Sequence, residues 1–271
     1  MGRIRFERVE VAGAPADHGR GGEGPSLLFL HGWGVGPRSY AGSLSRLAGI
    51  GLEVAAPALP GFGGTPALEG ASCDFSGYAR WLSSYLDTLG TTEPVVVVGH
   101  SFGGGVAIQL AHDIPERVRA VVVCNAVGGA TRLGPADRPW WEWGRYLGSD
   151  LLALESVVRV LPAVLGEAVP NFVQNPLAMW RVGEFVRRAD LRREVHVLTD
   201  RCTPFTVVWS DRDRLVPHGS FATLCSAAGV DGVVVPGHHS WLIADPGRFA
   251  DVVLRALAEA GVVEEALGLT A

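Results

Sequence analysis

Val95-Val96-Val97-Val98-Gly99-His100-Ser101-Phe102-Gly103-Gly104-Gly105-Val106 is the stretch on which the reading of this chain turns. Four consecutive valines read as a strand buried on both faces, because β-branched side chains suit a pleated sheet and an unbroken apolar run leaves no side for water. The residues that follow, Phe102 to His112, have the length and pattern of a helix. Ser101 therefore occupies the turn between a strand and a helix, with a glycine two residues away on either side. A tight turn of this kind brings those two neighbours so close that side chains on them would collide, which glycine avoids. In a chain with 36 glycines the five-residue pattern is weak alone; its position between strand and helix gives it meaning.

Similar strand-length runs recur on both sides: Leu27 to Leu30, Val54 to Ala56, Val118 to Val123, Phe205 to Trp209 and Val233 to Val235. Helix-length segments separate them, among them Tyr78 to Leu89 and a last one near Phe249 to Ala260. This alternation predicts an α/β fold, a mostly parallel central sheet with helices on both faces. Between Gly128 and Cys202 the strand-like runs stop, and helical sequence punctuated by Pro139, Pro162, Pro170 and Pro176 takes over. We read residues 129–202 as an inserted helical cap, leaving 1–128 and 203–271 as the core. The cap holds Trp140, Trp141, Trp143 and Trp180, half of the eight tryptophans. Those rings either present apolar surface to a ligand or fasten cap to core.

Composition narrows the function. Hydrophobic residues make up 48% of the 271 and charged residues 19%, a globular balance with ample core material. The net charge of -5 offers no basic footprint for a phosphate backbone, so nucleic acid is not an expected partner. Cys73, Cys124, Cys202 and Cys225 are scattered without a C-x-x-C pair, and reduced thiols in the cytoplasm are the simplest reading. The opening MGRIRFERVE lacks the apolar centre of a secretory signal, and no apolar run reaches the roughly 20 residues that span a bilayer. A soluble protein without membrane contact is expected. Oligomeric state is left open.

A serine hydroxyl is a poor nucleophile near neutral pH and needs a base, usually histidine, held in the right tautomer by a third group. Loops at the carboxyl ends of strands are where α/β sites gather. One such loop, Ser210-Asp211-Arg212-Asp213-Arg214-Leu215-Val216-Pro217, offers two aspartates; another, Pro236-Gly237-His238-His239-Ser240-Trp241, offers two histidines. Of the others, His18 lies in a glycine-rich loop, His112 and His218 on helices and His196 in the cap, none with a partner carboxylate at a strand end. Neither H-E-x-x-H nor clustered Cys/His spacing is present, so no metal and no cofactor is expected. The negative charge that builds on an attacked carbonyl needs donors, and the backbone N-H of Phe102, opening a helix just after Ser101, is placed to be one.

With strand, turn and loops in this order, the chain resembles the α/β-hydrolase superfamily over nearly its whole length, and in particular serine-nucleophile, esterase-like members with a helical cap. The resemblance implies a triad in the order Ser, Asp, His. The family's acid loop commonly reads Trp-Gly-x-x-Asp-x-x-x-Pro; Trp209, Asp213 and Pro217 fit, with Ser210 in place of glycine, which implies Asp213 and leaves Asp211 as a turn residue beside Arg212. The histidine loop implies His239, seven residues before Pro246, with His238 where glycine is usual. His31-Gly32-Trp33-Gly34 resembles the family's His-Gly loop, which implies the backbone N-H of Trp33 as a second donor; Pro60-Gly61-Phe62-Gly63-Gly64 resembles a structural loop.

The expected catalytic residues are thus Ser101, Asp213 and His239, with Trp33 and Phe102 as oxyanion donors, acting on a small-molecule carboxylic ester through an acyl-enzyme. Activity should rise with pH through the ordinary histidine range near ~6.5. Carbon-carbon bond hydrolysis and acyl transfer use the same triad; Ser240 directly after the histidine, with Trp241 one further on, counts against the former. A non-catalytic ligand receptor on the same fold is the reading from another class.

Overall fold

A computed structural model of the protein describes residues 2–129, 145, 158 and 160–262. Among the described residues eight strands form one sheet: β1 (Arg5–Val11), β2 (Ala14–Gly21), β3 (Ser26–Leu30), β4 (Glu53–Pro57), β5 (Val95–His100), β6 (Val118–Cys124), β7 (Phe205–Ser210) and β8 (Val233–Val235). Their order is β1-β2-β4-β3-β5-β6-β7-β8, parallel from β4 to β8, with β2 antiparallel to both its neighbours. The six strands read from sequence are all present. The hairpin β1-β2 was not expected, and His18, expected in a loop, lies in β2, where its ring meets the Tyr85 hydroxyl at 2.8 Å. Neither strand carries an apolar run: β1 is RFERVEV and β2 is APADHGRG, and most of their side chains reach solvent.

Among the described residues the α-helices are α1 (Ala41–Gly49), α2 (Phe75–Thr88), α3 (Phe102–Asp113), α4 (Val160–Gln174), α5 (Pro176–Arg187), α6 (Arg192–Asp200), α7 (His218–Ala228), α8 (Trp241–Ala244) and α9 (Pro246–Glu259). Asp74 begins α2 by accepting the Gly77 N-H, and Asp245 begins α9 by accepting that of Arg248. The valines of β5 explain why both faces are covered. Val95 and Val97 join one apolar cluster with α2, α3 and α7, whereas Val96 and Val98 join a second with α1 and α9. Each fully buried valine contributes roughly 1.5–3 kcal/mol, so β5 is a main source of cohesion between the layers. No helix among the described residues is long and apolar enough to cross a membrane.

Within the expected cap, Trp140, Trp141 and Trp143 lie outside the described residues, and Trp180 is exposed. Helices α4 and α5 pack on each other, whereas α6 buries Val195 and Leu198 against α3 and α7. The chain leaves β3 toward β4 on one side and returns to β5 on the other, so β3 and β5 are neighbours whose following loops diverge. A crevice opens at the carboxyl ends of such a pair. Those ends carry His31 to Gly34 and Ser101.

Candidate active site

Ser101 takes φ 53° and ψ -114°, a conformation that costs a non-glycine residue on the order of 1–3 kcal/mol and persists only when its surroundings impose it. They do. The Ser101 N-H donates to the Cys124 carbonyl at 2.9 Å, and its own carbonyl accepts from Gly104 at 3.0 Å and Val127 at 3.2 Å. A Cβ on Gly99 would lie 2.3 Å from the Gly103 carbonyl oxygen, and one on Gly103 would lie 2.2 Å from that of Leu30. Both obstacles are backbone: Gly99 is needed for the reason read from the sequence, the closeness of the turn's two flanks, whereas Gly103 is needed because the end of β3 presses on it. Phe102 is the first residue of α3, and its N-H belongs to the helix's unsatisfied first turn beside Ser101.

Asp213 and His239 are brought together by the loops after β7 and β8. His239 Nδ1 lies 2.8 Å from Asp213 Oδ2, and both side chains are almost fully buried. An ionised carboxylate has no proton to give, so Nδ1 carries the hydrogen of this bond and Nε2 is left as the basic nitrogen. Asp213 is fixed in turn: Oδ1 accepts the N-H groups of Leu215 at 2.8 Å and Val216 at 3.0 Å, and Oδ2 also accepts from Asn125 Nδ2 at 2.5 Å. Asp211, the rival carboxylate, accepts the Gly237 N-H at 2.9 Å instead and so braces the histidine loop.

Several residues that the sequence did not mark complete this arrangement. Asn125, buried at the end of β6 with φ 48°, donates to Ser210 Oγ at 2.7 Å as well as to Asp213 and accepts from Trp241 Nε1 at 2.9 Å. Ser210 Oγ passes its hydrogen to the His238 carbonyl at 2.9 Å. The Ser210 hydroxyl thus joins β7 to the histidine loop. His100 is buried between Gly99 and Ser101, and its Nε2 faces the His239 carbonyl at 3.0 Å, so Nε2 holds the proton. Its Nδ1 accepts from the Tyr40 hydroxyl at 2.7 Å, and that hydroxyl accepts the Gly32 N-H at 3.1 Å. Burial holds the His100 pKa well below the ordinary range, with the nearby His239 adding to the effect.

On the β3 side, His31 is fully buried; its Nδ1-H donates to the Gly32 carbonyl at 2.8 Å and its Nε2 accepts the Leu59 N-H at 2.9 Å. Burial pushes its pKa down to about 4. Trp33 follows, its indole N-H donating to the Met179 carbonyl of α5 at 3.0 Å and its ring edge-on to Phe172 of α4. Ser101, His239 and Trp33 line one cavity of about 270 Å³. Its other described walls are mostly aliphatic or aromatic: Val35, Val127, Val164, Ala168, Phe172, Val186, Leu215, Val216 and Ile243. The structure thus places a hydroxyl and an imidazole on one mostly apolar chamber, with a buried carboxylate bonded to the imidazole's Nδ1.

Residues 27–252 match the model of the alpha/beta hydrolase family, and the chain belongs to that family. It is similar to an uncharacterised protein of Mycobacterium tuberculosis, 29% identical across 86% of this chain and 75% of that one. It is likewise similar to the pimeloyl-[acyl-carrier protein] methyl ester esterase of Aeromonas salmonicida, 26% identical across 86% of this chain and 96% of the esterase. Among solved structures, a meta-cleavage product hydrolase from Pseudomonas fluorescens superposes with a TM-score of 0.76 at 22% identity, covering 94% of this chain and 98% of that one, which establishes a shared fold.

Proposed function

We propose that the protein is a serine hydrolase that cleaves a small, largely apolar carboxylic ester through an acyl-enzyme. Ser101 Oγ attacks the carbonyl carbon while His239 Nε2 takes its proton; the oxyanion is met by the N-H groups of Trp33 and Phe102. Collapse expels the alcohol, protonated by His239, and water then repeats the sequence to release the acid and restore Ser101. Asp213 keeps His239 in the required tautomer and stabilises the imidazolium between the two transfers. The observation that carries this reading is the 2.8 Å bond from His239 Nδ1 to the buried Asp213, made where His239 and Ser101 share one chamber.

The aliphatic walls and the volume of about 270 Å³, near the lower end of ligand pockets, support a short acyl group without charge. Helices α4 and α5 supply much of that wall and serve as the cap over the serine. The likeness to a methyl ester esterase agrees with ester chemistry. The four cysteines are all free, which supports a cytoplasmic setting.

The test is labelling with a fluorophosphonate probe, native protein against Ser101→Ala, followed by a panel of nitrophenyl esters, lactones and diketones. Labelling of the native chain alone, with turnover of short esters ahead of dodecanoate, is the expected result. Turnover of diketones without esters would replace ester by carbon-carbon hydrolysis. Labelling without any turnover would favour a receptor, and absence of labelling would remove Ser101 from the chemistry.

A further inference from the structure

Helix α4 does more than wall the chamber. Its residues Val164, Ala168 and Phe172 face the cavity, while Val169 and Val173 are exposed. A third face carries Glu167 and Asn171, one turn apart, and both reach across to the loop after β3. Glu167 Oε2 accepts the N-H of Gly36 at 2.9 Å, the N-H of Ser39 at 2.7 Å and the Ser39 hydroxyl at 2.6 Å; Oε1 accepts the Arg38 N-H at 3.3 Å. These donors open the single turn Pro37–Tyr40, which has no capping side chain of its own and leads straight into α1. The carboxylate lies so close that a Cβ on Gly36 would be 2.6 Å from Glu167 Oε1.

Asn171 completes the grip. Its Nδ2 donates to the Gly34 carbonyl at 3.0 Å, and its Oδ1 accepts the Gly63 N-H at 2.9 Å, tying α4 to the loop after β4 as well. With the Trp33 indole bonded to Met179, the segment from Trp33 to Ser39 is held from above by side chains and backbone of α4 and α5. The separation of 131 positions between Gly36 and Glu167 makes this a long-range clasp rather than a local cap. A carboxylate taking several backbone N-H groups forms charge-assisted bonds, about twice as strong as neutral ones.

We infer that Glu167 is a positioning residue: by clasping Gly36 to Ser39 it fixes the segment that presents the Trp33 N-H to the reacting carbonyl. The helix that contacts the acyl group thereby also sets the donor that stabilises its transition state. This inference rests on the proposed role of the Trp33 N-H, which gains in strength only as negative charge develops. Loosening the clasp should therefore slow the chemical step more than it weakens substrate binding.

The test is Glu167→Gln, which places an amide NH2 among donors that need an acceptor. Turnover is normalised to sites titrated with fluorophosphonate, so that misfolded protein does not count. The expected result is a kcat lower by about 10- to 100-fold with KM within about 2-fold of native, the scale of a displaced oxyanion donor. Affinity for an aryl trifluoromethyl ketone, which captures Ser101 as an oxyanion-bearing adduct, should fall by the same factor. Hydrogen exchange at the amides of Gly36, Arg38 and Ser39 should quicken. An unchanged kcat, or a raised KM alone, overturns the inference, since a role confined to holding the cap would affect binding only.

If E167Q does not fold, Ser39→Ala removes one donor of the clasp and should lower kcat about 3-fold at constant KM; no change overturns the inference. Should the native protein neither label nor turn over, the serine reading fails and the positioning role falls with it. Hydrogen exchange in E167Q would then show separately whether the clasp itself holds the segment.

Discussion

Lowering the pH from 7 to 5 should destabilise this protein steeply, and His31 shows why. Both ring nitrogens are committed, Nδ1-H to the Gly32 carbonyl and Nε2 to the Leu59 N-H, so a second proton has no place without breaking the latter bond. Burial accordingly lowers the pKa from 6.5 to about 4. The folded value lies below the unfolded one, so between the two the unfolded chain binds a proton that the folded chain refuses. Stability is therefore full above pH 6.5, falls as pH drops through that window and levels off below about 4. His31 alone accounts for about 1.4 kcal/mol lost by pH 5.5 and about 3 kcal/mol in all, at 1.36 kcal/mol per pH unit. His18 and His100 are buried with pKa values shifted the same way, each chiefly by desolvation, so they add to the slope. Urea unfolding at half-unit steps from pH 7 to 5 measures it directly. The slope should exceed one proton's worth, and in His31→Gln it should become shallower by about one proton even though that variant is weaker at pH 7. A free energy of unfolding constant to within ~0.5 kcal/mol between pH 7 and 5.5 would refute the reasoning.

Three further perturbations follow from the site. Gly103→Ala drives a methyl into the Leu30 and His31 backbone, at 2.2 to 2.6 Å, and should cost about 3 kcal/mol or more; an unchanged urea midpoint would contradict that. Tyr40→Phe strips both the Gly32 N-H and His100 Nδ1 of their partner, which should cost about 2 kcal/mol in thermal unfolding and slow turnover; full activity would show that the link is dispensable. Asp213→Asn presents an amide where His239 Nδ1-H and two backbone N-H groups need acceptors, and kcat should fall by about 10⁴-fold, checked by single-turnover kinetics on a nitrophenyl ester.

What the sequence revealed depended on how local each cause is. The valines of β5 and the apolar runs of β3 and β6 show as strands because burial on both faces leaves almost only apolar residues in them. The hairpin β1-β2 does not, since one strand lies at the sheet edge and most of the side chains of both meet water, leaving ordinary polar sequence. Ser101 is legible because the steric demand of its turn falls on residues two positions away. Asp213 and His239 could be chosen over Asp211 and His238 only by resemblance; spacing within a loop does not say which side chain turns inward. Asn125, Tyr40 and Glu167 gave no signal at all. Their partners lie 88, 60 and 128 residues away, at Asp213, His100 and Ser39, and only the folded sheet brings them together.

The same separation in sequence gives the buried histidines their role. His100 adjoins Ser101, yet its two ring nitrogens reach outward, one through Tyr40 to the loop after β3 and the other to the main chain of His239. Only the neutral ring can accept from Tyr40 while donating to His239, so one tautomer of one side chain holds the loops on both sides of the nucleophile in register. The walls of the chamber are mostly apolar, and a low local dielectric strengthens each hydrogen bond around it but also makes an added proton expensive. Burial that keeps His31 and His100 neutral therefore secures the arrangement near pH 7 and exposes it to acid. The loop that carries Trp33 is where that cost is felt first, because a second proton on His31 breaks its bond from the Leu59 N-H and one on His100 breaks its bond from the Tyr40 hydroxyl, whereas the bond from His100 Nε2 to the His239 carbonyl survives.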